Sequence, residues 1–434
     1  MKTFAIVFAL LVGAVSWGLI VSREATPTRE PDRTLAVDAA WYAALPSDPV
    51  AATNAYLARI PDAVRAAGDA YDATRYPVIA LRVLTLVAAI AFILFSGLAS
   101  RMRGVAQRIS TVRSVQDALV SVQLLAVLFV LNLPIATYSG FVRNRHAGFT
   151  AMSYGDWLGD AVVGWAVDSL FYTAGIVAIL ALIRRRPRSW IPWATMLYIG
   201  LSSVYVLLLP AVIEPLFNRF ATLADGPQKD MILSLASANG VPATDVFVSD
   251  ASRQGSLLNA HVSGVAGFAR IVLDDNTIAN APAPEIRFVM AHEMGHYLLG
   301  HIWTGILLQG LVVGVGFVFV GWGTKRLVAR FGARWKVADE RDPGALPAFW
   351  GLFLLWGFLS LPATNGISRV QEAQADRFGL DASSEPFGLA EFMIRDADAV
   401  NAEPPELEEW LLYDHPSVSR RVLAAMRWRA AHPQ

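Results

Sequence analysis

The sequence contains no cysteine, so it forms no disulfide and offers no thiolate to a metal; any metal it holds must sit on histidine, aspartate or glutamate. Charge is scarce as well. Only 17% of the 434 residues are Asp, Glu, Lys or Arg, and 36 basic side chains are balanced by 36 acidic ones. That balance leaves no overall field for nucleic acid or another polyanion, so charge acts locally. Internal repeats and low-complexity tracts are also missing. What the chain has in excess is apolar surface: 55% of its residues are hydrophobic and its mean hydropathy is +0.43, the composition of a membrane protein.

Seven apolar runs approach or reach the roughly 20 helical residues needed to cross a hydrocarbon core of about 30 Å. They are Phe4 to Val21, Val78 to Leu98, Ala118 to Tyr138, Ala161 to Ile183, Ile191 to Ile213, Ile302 to Trp322 and Leu346 to Pro362. The first reads as a retained anchor, because its apolar core is longer than a signal-peptide core and "AVSWG" is a poor small-x-small site. Basic residues gather in alternate loops, at Arg101 to Arg113, Arg184 to Arg188 and Lys325 to Lys336. The positive-inside rule predicts that this side is cytoplasmic and that the polar segments from Glu214 to His301 and from Asn365 to Gln434 lie on the other. The expected organisation is a membrane domain of five spans over residues 1–213, a first part of a peptidase-like unit over 214–301, two further spans over 302–364 and a second part over 365–434. Short β-branched runs at "DVFVSD" and "RIVLDD" predict a small sheet between the two helical parts, with "ARIVLDD" as an edge strand open to an extended peptide.

Three of the seven histidines lie within "HEMGHYLLGH". His292 and His296 are four apart, which on a helix places their side chains only about 40° from one another, able to grip one ion. Glu293 stands beside them, about 100° around. This is the His-Glu-x-x-His pattern, in which two imidazoles bind zinc and the glutamate takes a proton from water. His301 is out of register with the third histidine of a metzincin, and on a continuing helix it would point roughly 180° from His292, as an interfacial residue. A catalytic zinc wants a third protein ligand. The remaining histidines, His146, His261, His415 and His432, are candidates, and so is a carboxylate. In "SRVQEAQAD", Glu372 and Asp376 stand at i and i+4, which suits one carboxylate on the metal and a second holding a ligand histidine by its other nitrogen. By spacing alone, a solvated acidic helix face explains the same pair.

"EPLFNRF", "LADG", "NAHVSGVAGFARIVLDD", "AHEMGHYLLGH", "SRVQEAQADRFG" and "DHPSVSRRV" follow one another in an order and at separations that resemble the type I CAAX prenyl proteases and their bacterial relatives, a family of integral membrane zinc metallopeptidases. The resemblance covers nearly the whole chain. It implies a mainly α polytopic membrane protein with about seven transmembrane helices around a chamber, plus a split zincin-like metalloprotease domain with a small β-sheet. It implies one zinc ion on His292, His296 and Glu372, Glu293 as general base, and Asp376 as the acid that holds a ligand or donates a proton. Asn259, His415 and Arg421 would line the cleft, the last two engaging substrate carbonyls or a developing oxyanion. The expected partners are the lipid bilayer and a peptide or protein substrate, membrane-associated or lipidated, with no nucleic acid; the expected location is that of a multi-pass integral membrane protein, in the plasma (inner) membrane if the source is bacterial.

The chain departs from the family in three places. His261 stands where an aromatic residue is usual after Asn-Ala, "TYSGFVRNRHAGFT" carries basic residues where the family has a glutamate, and Asn276 follows Asp275 where threonine is usual. These departures bear on substrate preference, not on metal ligands. The competing reading is a polytopic transporter or channel with a regulatory metal site; Glu293, which such a site does not require, argues for an enzyme.

Overall fold

The computed structural model describes residues 13–24, 39–264, 269–395 and 397–433. Five helices among them are long and apolar enough to cross a membrane: Asp62–Phe95, Arg113–His146, Tyr154–Arg185, Trp190–Leu216 and His301–Trp335. A sixth span is a broken one, Pro343–Leu359 followed by Leu361–Ser383, bent by 50°. Pro362 near the start of the second piece has no amide hydrogen to continue the ladder, and the chain turns there. These six correspond to the second to seventh apolar runs. The first run begins outside the described residues, and its described portion, 13–21, is helical.

Val120, Leu124, Ile176, Phe317, Val320 and Trp350 form the centre of the helix bundle. Large apolar side chains such as Leu84, Leu170, Met196 and Trp322 remain exposed on its outside, the surface that lipid covers. Two carboxylates stand at and within the fourth apolar run. Asp160 accepts a hydrogen bond of 3.1 Å from Gln254 of the polar region, and Asp168 borders a cavity of about 380 Å³ walled by Tyr172, Tyr198, Tyr205 and Trp350.

The three basic clusters meet at one end of the bundle. Arg103 pairs with Asp342, Arg184 holds Asp117 at 2.8 Å and donates to the carbonyl of Arg341 at 3.1 Å, and Lys325 stands 3.8 Å from Glu340. "RNRH" lies apart from them and is spent on structure: Arg143 donates to the carbonyl of Tyr71, and Arg145 to those of Met152, Ser22 and Glu24.

The polar region is built on a four-stranded sheet, β1 (Phe220–Thr222), β2 (Val246–Ser249), β3 (Ala260–Ser263) and β4 (Arg270–Asp274), in the order β1-β2-β4-β3. β2 and β4 run parallel; the outer pairs are antiparallel. The sheet packs its Ile271 and Leu273 against Phe288 and Met290 on one side of the sequence gap and against Leu389, Val422 and Met426 on the other, so the two polar segments share one core. Tyr56, Leu57 and Ile60 are buried in that same core. Residues 39–60, a loop segment of the membrane domain expected over 1–213, contain no apolar run long enough to enter a bilayer and bury hydrophobic residues in the core of the polar region. Arg59 and Tyr42 fasten the segment there by binding Glu391.

Candidate active site

Four helices bound the cleft: α1 (Ala283–Leu298), α2 (His301–Trp335), α3 (Leu361–Ser383) and α4 (Val418–Ala431). α1 carries "HEMGH", and α3, the piece bent out of the broken span, lies directly against it. Glycines allow the approach. A Cβ at Gly379 of α3 would stand 3.2 Å from the backbone of His292, and one at Gly295 of α1 would stand 3.1 Å from the Phe378 ring.

This contact brings His292, His296 and Glu372 together. The two Nε2 atoms are 3.1 Å apart, and each lies 3.4 Å from a carboxylate oxygen of Glu372. His292 and Glu372 are buried, at 5% and 8% exposure. Behind His292, its Nδ1 is 2.9 Å from Asp376 Oδ1, and Arg421 of α4 grips the same carboxylate with two bonds, Nε at 2.8 Å and Nη2 at 2.5 Å. The i, i+4 spacing of Glu372 and Asp376 therefore places one carboxylate at the imidazole tips and the other at the far nitrogen of His292. Burial works against a charged imidazole at His292, but the neighbouring Asp376 and Glu372 carboxylates outweigh it and push its pKa up to about 9. A positive charge belongs between these groups. The triangle of donor atoms has the size of a tetrahedral metal site, and the residues fit zinc, because bonds of about 2.0–2.1 Å in a tetrahedron separate ligand atoms by about 3.3 Å.

Glu293 makes no hydrogen bond among the described residues and faces a cleft of about 670 Å³. Burial raises its pKa, while the adjacent His292 and His296 pull it down. His415 enters from the loop before α4, with Nε2 3.5 Å from Glu372 and Nδ1 3.0 Å from Asp414, whose carboxylate raises the imidazole's pKa. Asn259 and His261 line the same cleft from the sheet side; Asn259 also borders a second cavity of about 420 Å³. His261 stands 3.4 Å from Glu214. All eight residues singled out in the sequence, Asn259, His292, Glu293, His296, Glu372, Asp376, His415 and Arg421, thus converge on one place.

Two details differ from the sequence reading. β4 is not the edge strand: it lies between β2 and β3, and β3, whose Ala260 to Ser263 line the cleft, carries the outer edge. The centre of β4, Ile271 to Leu273, is apolar at three successive positions because it is covered on both faces, and short "AHVS" is the half-exposed neighbour. His301 is not an interfacial residue on a continuing helix. α1 ends at Leu298, Gly300 takes a left-handed φ of +66°, and His301 opens α2 buried at 6% exposure, its Nδ1 3.0 Å from His296 Nδ1. The glycine after "YLL" was the available signal for that break.

A His-Glu-x-x-His helix closed by a remote glutamate, at the end of a bundle of membrane spans, defines an integral membrane metalloendopeptidase. Residues 224–429 match the model of peptidase family M48, and residues 65–219 match that of the CAAX prenyl protease N-terminal region, five membrane helices. The chain belongs to this family, in the branch of the type I CAAX prenyl proteases and their bacterial relatives. It is 28% identical to the uncharacterised metalloprotease YhfN of Bacillus subtilis, over 68% of this chain and 69% of that protein. It is 27% identical to CAAX prenyl protease 1 of Saccharomyces cerevisiae, over 73% and 74% of the two chains, and 25% identical to the human CAAX prenyl protease 1 homolog, over 69% and 72%. The crystal structure of S. mikatae Ste24p superposes with a TM-score of 0.70 at 19% identity, covering 97% of this chain and 98% of that one, so the fold is shared throughout.

Proposed function

We propose that this membrane metalloprotease is a zinc endopeptidase that cleaves extended peptide segments delivered at the membrane border. The observation that carries the reading is the triangle of His292, His296 and Glu372, whose 3.1, 3.4 and 3.4 Å separations suit a tetrahedral ion with one position left open. Zinc bound there supplies Lewis acidity, acidifying a water and polarising the scissile carbonyl. Glu293 accepts the proton as water attacks and returns it to the leaving amine. Asp376 acts on His292 rather than as a proton donor, because Arg421 already engages both of its oxygens. Arg421 in turn is a positioning residue, and His415 is the donor left to meet the carbonyl oxygen. The substrate backbone pairs with the β3 edge, which sets its register without demanding a particular sequence, and Asn259 meets it at the end of that strand.

The peptidase unit comprises 214–301 and 365–434 together with residues 39–60. Its substrates reach it from the bilayer, since α2 and the helix before α3 are membrane spans. The yeast and human relatives are CAAX prenyl proteases, which makes a lipidated C-terminal peptide one substrate to try and an unlipidated peptide the other. The test is purification in detergent with metal analysis, followed by cleavage of prenylated and unprenylated versions of one peptide, with and without a chelator. One zinc per chain and chelator-sensitive cleavage are expected; cleavage by metal-free protein would overturn the reading. For orientation, the basic end of the bundle is placed in the cytoplasm and the cleft opposite. Single cysteines near Gln254 and near Arg330, probed in intact cells with an impermeant thiol reagent, decide it: labelling near Arg330 alone reverses the orientation.

A further inference from the structure

The two imidazoles of the site are backed in different ways, and only one backing follows from the motifs already described. His292 leans on Asp376. His296 leans on His301: the rings are 4.9 Å apart at 76°, and the Nδ1 atoms are 3.0 Å apart. On its other side His301 Nε2 is 3.1 Å from Gln374 Oε1. α3 also fixes the backbone of His301, because Gln371 donates to the His301 carbonyl at 3.0 Å and to Thr304 Oγ1 at 3.1 Å.

The chemistry of this chain has one direction. An amide oxygen only accepts, so His301 Nε2 carries the proton. His301 Nδ1 then presents a lone pair, and the hydrogen between the two rings belongs to His296 Nδ1. A neutral His296 with its proton on Nδ1 has its lone pair on Nε2, the atom facing His292 and Glu372. We propose that His301 is a positioning residue that holds His296 in the tautomer and ring orientation able to bind a metal, and that Gln374 locks His301 in turn. The turn at Gly300 is what makes this possible, since it aims the first side chain of a membrane span back into the cleft. The inference rests on His296 being a ligand, as proposed above.

The test compares zinc affinity, measured by chelator competition on the full-length protein in detergent, with the melting temperature of the zinc-free protein as a control for folding. His301→Leu fills the space without an acceptor, whereas His301→Asn places an amide oxygen near the former Nδ1. Loss of such a partner typically weakens metal binding about 10- to 100-fold. That loss is expected for His301→Leu and for Gln374→Leu, with His301→Asn and Gln374→Glu staying within about 3-fold of the parent and all zinc-free melting temperatures alike. The proposal is overturned if His301→Leu binds zinc as tightly as the parent, or if His301→Asn is as weak as His301→Leu. His296→Ala separates the two levels. Should it keep zinc, the ligand assignment itself fails; should it lose zinc while His301→Leu does not, only the positioning role fails.

Discussion

The active site is assembled from two regions that contribute different things. One is ten residues long, from His292 to His301, and supplies imidazoles and the free carboxylate of Glu293. The other is remote, with Glu372 and Asp376 on α3, Arg421 on α4 and His415 in the loop before it, and supplies bound charge: a glutamate at the imidazole tips and an aspartate clamped by an arginine. On the proposed assignment, proton transfer would reside in the contiguous stretch, while completion of the ligand set by Glu372 and alignment of His292 by Asp376 would depend on how closely α3 is seated.

Substitutions should pull the two contributions apart. The largest effect is expected for Glu372→Ala, which removes the charged ligand: zinc content by metal analysis falls to background and cleavage goes with it, whereas His301→Ala keeps the metal when zinc is saturating. Equal zinc content in the two variants would remove Glu372 from the ligand set. Next comes Glu293→Gln, which keeps the shape and loses the base. Turnover should drop about 10²- to 10⁴-fold with one zinc retained, and a zinc-free Glu293→Gln protein would contradict the division between chemistry and grip. Asp376→Asn should weaken zinc binding about 10- to 100-fold, since an uncharged partner supports His292 less well and leaves Arg421 unpaired. An unchanged affinity there would mean that the contiguous stretch aligns His292 by itself. Smallest is Gly379→Ala, whose methyl must push α3 from the His292 backbone at a cost of about 1–3 kcal/mol in stability, read as a lowered melting temperature with zinc still bound.

The contiguous region was legible in the sequence because helical spacing alone puts His292, Glu293 and His296 in known relation. The remote one was only half legible. Spacing pairs Glu372 with Asp376, but nothing local says that their helix meets α1 across two membrane spans; the family resemblance supplied that. Helical spacing places His301 correctly only if the helix continues through Gly300, and there the backbone enters the left-handed region instead. The apolar run of β4 suits an edge strand and a strand covered on both sides equally, because sheet order depends on non-local pairing. The helices over 39–60 gave no sign of their destination, since Tyr56 and Leu57 find their partners on elements more than 300 residues away in the chain. The bundle, by contrast, was readable run by run, because a bilayer imposes its thickness on each span separately.

His292 and His296 precede two membrane crossings, and Glu372, Asp376 and Arg421 follow them. During synthesis the imidazoles therefore emerge well before the residues that complete and align their pocket, and those residues can be seated only after both intervening crossings are in the bilayer. On the proposed assignment the nascent polypeptide would be its own zymogen: insertion of the last two crossings would take the place of removing a pro-segment, since a chain stopped before them would lack Glu372, Asp376 and Arg421.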